Sequence, residues 1–71
     1  MTATAVPSEC RMANDIARNL AHLPGEEAAE AIAGHIGRFW DPRMRTRLYE
    51  FVDAGVEGLD PLVAAAVKRL R

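Results

Sequence analysis

The chain has 71 residues, 49% of them hydrophobic and 27% charged, which fits one folded domain and excludes a disordered tail. Its formal net charge of -1 excludes bulk electrostatic binding to polyanions, and no run approaches the roughly 18 apolar residues of a membrane span. A single cysteine, Cys10, rules out an internal disulfide. With an opening MTATAVP that lacks charge and is too short for a signal h-region, it points to a reducing cytoplasm.

Residues 1–7 lack periodicity and end in Pro7, which reads as a flexible N-terminal arm before a single helical domain over 8–71. Ser8 is the expected N-cap of a first helix reaching about Leu23. On it Met12, Ala13, Ile16, Leu20 and Leu23 share a face, with Arg11, Asn14, Asp15, Arg18 and His22 away from it. Pro24-Gly25 breaks the chain. The second helix begins at Glu26 and Glu27, whose charges oppose the positive helix end. Its apolar stripe is Ala28, Ala29, Ile32, Ile36, Phe39 and Trp40. Gly34 and Gly37 fall on the outer side, where each costs about 1 kcal/mol relative to Ala. They call either for close approach of another backbone or for a helix that finishes early.

Asp41-Pro42 starts the third helix, Asp41 as N-cap and Pro42 in the first turn. Met44, Leu48, Phe51 and Val52 face inward, and Gly55 supplies the stop. Asp60-Pro61 repeats the signal, Asp60 capping a fourth helix that reaches about Leu70, with Leu59, Val63, Ala66, Val67 and Leu70 as its stripe. Nothing alternates with period two. The expected fold is all-α, a compact bundle of about four short helices.

Chemistry is sparse. His22 and His35 sit on different helices without a cysteine pair or a helical His-Glu-x-x-His, so metal ligation is not indicated. Cys10 has no orienting partners for nucleophilic catalysis, and Gly34 and Gly37 lie within a helical pattern rather than a phosphate loop. The arginines say more. Arg38, Arg43, Arg45 and Arg47 stand against Asp41 alone, beside the only tryptophan, Trp40. Trp and Arg are the residues most enriched at interface hot spots. Arg38, Trp40, Arg43, Arg45 and Arg47 are therefore the candidate partner surface. Against it stands a solvated helix start, with pairs such as Arg43 or Arg47 to Glu50 worth only tenths of a kcal/mol. Helix-turn-helix DNA binding is the minor alternative, since the third helix has few side chains suited to base edges.

The segments RMANDIARNL, EEAAEAIAGHIGRFWDPRMR and GLDPLVAAAVKRL, and above all Phe39-Trp40-Asp41-Pro42-Arg43-Met44-Arg45, carry a resemblance. From Arg11 onward the chain resembles the small delta subunit of NAD-dependent formate dehydrogenases containing molybdenum or tungsten. The resemblance implies a non-catalytic accessory subunit that supports assembly, cofactor loading or stability of the active complex. It implies the large alpha subunit as partner, with other subunits or an assembly factor beside it, and neither membrane nor nucleic acid. In that complex the molybdopterin guanine dinucleotide with Mo or W, iron–sulfur clusters, FMN and NAD belong to the other subunits. One cysteine cannot ligate a cluster that takes four thiolates. A stand-alone helical regulator or DNA-binding module is the reading of a different class.

Overall fold

In a computed structural model the protein is described over residues 6–71, as four helices: α1 Ser8–Asn19, α2 Gly25–Phe39, α3 Pro42–Ala54 and α4 Pro61–Leu70. Residues 1–5 of the expected arm lie outside the described residues. Of its last two, Val6 packs against the core and Pro7 occupies the N-cap of α1.

Two helices start on proline and two on aspartate. The Pro7 carbonyl accepts from the Arg11 N–H at 2.9 Å, and that of Pro24 from Ala28 at 2.8 Å. Ser8 is therefore already the first helical residue, and no side chain caps α1. This corrects the cap expected at Ser8: from the first helical position a serine side chain is past the N-cap geometry that bonds the following N–H groups. Asp41 and Asp60 are N-caps, their Oδ1 atoms accepting from the N–H of Met44 and Leu62, each at 2.9 Å. Prolines 42 and 61 follow, where the missing N–H costs no helical bond.

The ends are equally local. α1 stops at Asn19, four residues before the sequence pattern predicts. Successive turn bonds, Ala21 to Arg18 and Leu23 to Leu20, replace the helical ladder there, and Pro24 pushes Leu23 out of the helical region. α3 ends in a left-handed Gly55 at φ 68°. Its N–H donates to Val52 and that of Val56 to Phe51, at 3.1 and 3.2 Å, the paired bonds of a Schellman closure. Val56 and Phe51 both pack on the core, giving the apolar contact that accompanies it.

α2 makes its most extensive contact with α4, and α1 lies against both and against α3. The core joins Cys10, Ala13 and Ala17 of α1, Ile32, Ala33 and Ile36 of α2, Trp40, Leu48 of α3, and Val63, Ala66 and Val67 of α4. α1 is thus rotated from its expected face. Met12 is 45% exposed, while Cys10 and Ala17 are buried, because a close helix crossing favours the small side chains. Asn14, expected to point away, closes the loop before α4. Its Nδ2 donates to the Gly58 carbonyl at 2.7 Å, and its Oδ1 accepts from the Asp60 N–H at 2.9 Å. Arg71 adds a tie at the other end of α4, donating to both carboxylate oxygens of Asp53 at 2.8 and 2.6 Å. That hydrogen bond holds the exposed Asp53 carboxyl below its ordinary range.

Neither explanation offered for the interior glycines holds. α2 continues to Phe39, and a Cβ at Gly34 would meet nothing within 4 Å; one at Gly37 would touch only the Leu70 side chain, at 3.4 Å. Gly34→Ala should therefore raise stability by up to about 1 kcal/mol, read as a higher melting temperature with unchanged helical circular dichroism. Asn14→Ala removes two hydrogen bonds that span more than forty residues of chain. It should lower stability by about 1–3 kcal/mol, measured by urea unfolding of the same domain.

Candidate functional site

The corner between α2 and α3 gathers the arginines, and its backbone explains why. α2 ends because Trp40 turns extended, at φ -92° and ψ 139°, while its N–H still donates to Ile36 at 3.0 Å. Asp41 then caps α3, whose first ladder bond runs from Arg45 N–H to the Asp41 carbonyl at 3.1 Å. One turn into α3 the Arg45 guanidinium reaches back. Its Nη1 donates to the carbonyls of Gly37 at 3.2 Å and Trp40 at 3.1 Å. Carbonyls at a helix C-terminus lack intrahelical donors and carry the negative end of the dipole. Arg45 satisfies two such groups and fixes α3 against the end of α2.

The arginines of the candidate surface thus divide. Arg45 is half-buried and bonded to its own chain. Arg47 pairs with Glu9 of α1, Nε to Oε2 at 3.0 Å, and lies 5.9 Å from the centre of the Phe51 ring; the sequence pairing with Glu50 gives way to this one. Arg38 and Arg43 are exposed and, among the described residues, form no ion pair. Arg43 lines a shallow depression with Asp41 and Pro42.

Trp40 requires a correction. It is 6% exposed and belongs to the core, so it has almost no face to offer a partner. The neighbouring aromatic is the open one: Phe39 is 68% exposed. Sequence reasoning placed Phe39 inward because it falls on the 3.6-residue stripe with Ile32 and Ile36. It is, however, the last residue of α2, and the chain turns away at Trp40, carrying the larger ring into the core instead. His35, one turn earlier on α2, stacks against Phe39 with ring centroids 4.8 Å apart and planes tilted by 44°.

The described residues do not suit a metal or cluster. No three His, Cys, Asp or Glu side chains among them come together, and Cys10 is fully buried. Burial, and secondarily the Glu9 carboxylate, push the Cys10 thiol above its ordinary pKa, which disfavours the thiolate that metal ligation or nucleophilic attack requires. The depressions among the described residues are surface hollows such as that between Gly37, Pro42, Arg45, Thr46, Tyr49 and Leu70. No helix of the described residues is long and apolar enough to cross a membrane.

The described residues thus form a small all-helical unit with a buried thiol and an exposed aromatic ring at the α2–α3 corner. Compared with known protein families, residues 10–67 match the family described as the NADH-dependent formate dehydrogenase delta subunit, FdsD. The match takes in all four helices, from Cys10 of α1 to Val67 of α4. The chain belongs to this family, that of an accessory subunit of a formate dehydrogenase. No curated protein matches the chain.

The two kinds of arginine should separate in solution. Arg45→Glu removes charge-assisted bonds and places an acid at a negative helix end, and should lower stability by about 1–2 kcal/mol. Arg43→Glu should stay within about 0.5 kcal/mol of wild type, because an acid in the first turn of α3 suits the dipole. Thermal unfolding of both variants at low and high salt checks the difference.

Proposed function

We propose that this chain is a non-catalytic subunit that docks on the large formate-oxidising subunit and supports assembly, cofactor loading or stability of the active enzyme. The observation that carries the reading is the extent of the family match, residues 10–67. That match runs from α1 into α4 rather than over a local motif, which supports a role for the domain as a unit. The chemistry of formate oxidation then lies with the other subunits, where molybdopterin guanine dinucleotide with Mo or W, iron–sulfur clusters, FMN and NAD would be held. The reading puts the complex in the cytoplasm, which the free, buried Cys10 supports.

A short chain with a small core gains stability from any partner that binds only its folded state. Docking would therefore stabilise this subunit as well as the enzyme. The test is co-expression of the remaining subunits with and without this chain. Formate-dependent NAD reduction, molybdenum or tungsten content, and the rate of thermal inactivation are then measured per assembled enzyme. Omission is expected to lower at least one of the three, metal content for a loading role and inactivation half-life for a stabilising one. Equal values in all three would overturn the supporting role. Formate-dependent turnover by this chain purified alone would overturn its non-catalytic character.

A further inference from the structure

Phe39 has no explanation in the core. It is 68% exposed, in a chain whose buried set rests on small side chains, and an apolar ring of this size gains by leaving water. The ring is also held in place. His35 stacks on it at 4.8 Å, which reduces the rotamer freedom that binding would otherwise remove.

Charge around the ring is equally unexplained by folding. Arg43 is the second residue of α3, where the positive end of the helix disfavours a cation, and it has no ion pair among the described residues. Arg38 adjoins Phe39 on the other side of the corner and is likewise exposed and unpaired. Asp41 is the only acid between His35 and Arg47, and its carboxylate is engaged as the cap. Arg38 and Arg43 thus leave a local excess of positive charge at this corner of a chain whose net charge is -1. Duplex nucleic acid calls for a longer basic track, and Arg45 and Arg47 are already bonded within the fold. An exposed ring at a corner that also carries two exposed arginines without ion pairs instead fits a protein pocket rimmed by carboxylates.

We propose that Phe39 is the anchor of the docking surface, entering an apolar pocket on the dehydrogenase whose rim carries carboxylates for Arg38 and Arg43. This rests on the docking role proposed above and replaces Trp40 as its central residue. Aromatic and arginine side chains dominate binding energy where they are desolvated together. Rim charges govern the rate of association and its sensitivity to salt.

The experiment uses dehydrogenase co-expressed without this chain, titrated with labelled full-length wild type, Phe39→Ala and Arg43→Glu. Wild type should bind. Phe39→Ala should bind about tenfold or more weakly at every salt concentration, and Arg43→Glu several-fold more weakly at low salt, with the difference shrinking as salt rises. Both variants should melt as wild type does, so lost binding cannot be lost folding. Binding by wild type and both variants with equal affinity would overturn the anchor while leaving the docking role intact. Failure of wild type to bind would overturn both. Loss in Phe39→Ala of self-association or of duplex DNA retention, with dehydrogenase binding unchanged, would reassign the surface to a second copy or to nucleic acid and overturn the proposal.

Discussion

The packing of α2 on α4 through small side chains is the constraint on which the fold depends. Ala28, Ala29, Ala33 and Ala66 are buried, together with Ala13 and Ala17 where α1 joins them. Such residues bury little area each, but they let helices approach closely, and dense packing then gives many weak contacts across the whole crossing. Ile32, Ile36, Leu48, Val63, Val67 and Trp40 fill the centre, and partly buried side chains such as Ile16, Leu20, Phe51, Leu59 and Leu70 pack around them.

The α2–α3 corner is closed by side chains of its own. Asp41 closes the start of α3 and Arg45 the end of α2, so opposite partial charges of two helix ends are met by two side chains four residues apart. Arg47 extends the connection to α1 through Glu9. The residues left over, Phe39, Arg38 and Arg43, are held on a frame already closed by its neighbours. The fold uses Asp41, Asp60, Arg45 and Asn14 to finish helices and close loops, and leaves Phe39, Arg38 and Arg43 exposed at this corner.

Much of the architecture was legible because helix starts and stops are written in local chemistry. Asp41-Pro42, Asp60-Pro61 and Gly55 act within a turn of their own positions, and α3 and α4 begin or end on them. What failed to read was settled over longer distances. Hydropathy favours Met12 over Ala17, yet the crossing of α1 needs small residues, so Cys10 and Ala17 went inside. Asn14 finds its partners more than forty residues away in the loop before α4, and nothing in its neighbourhood announces them. Phe39, on the stripe with Trp40, is left outside: a helical wheel assumes that the helix continues, whereas the chain turns between them. The family was readable from three segments in order, the corner motif the most specific of them. Which arginines are free was not, since that depends on carbonyls exposed by the end of another helix.

The burial of Trp40 has an optical consequence. Every other residue of this chain is nearly silent when indole is excited selectively, so the emission of the protein is that of one ring enclosed beside Ile36, Leu48 and the α4 valines. Its spectrum should be blue-shifted, and should move to longer wavelength only when solvent enters the core. The intrinsic signal of the subunit therefore reports whether it is folded. It stays largely indifferent to what settles on the neighbouring Phe39, and occupancy of that corner has to be read from a reporter placed outside the core.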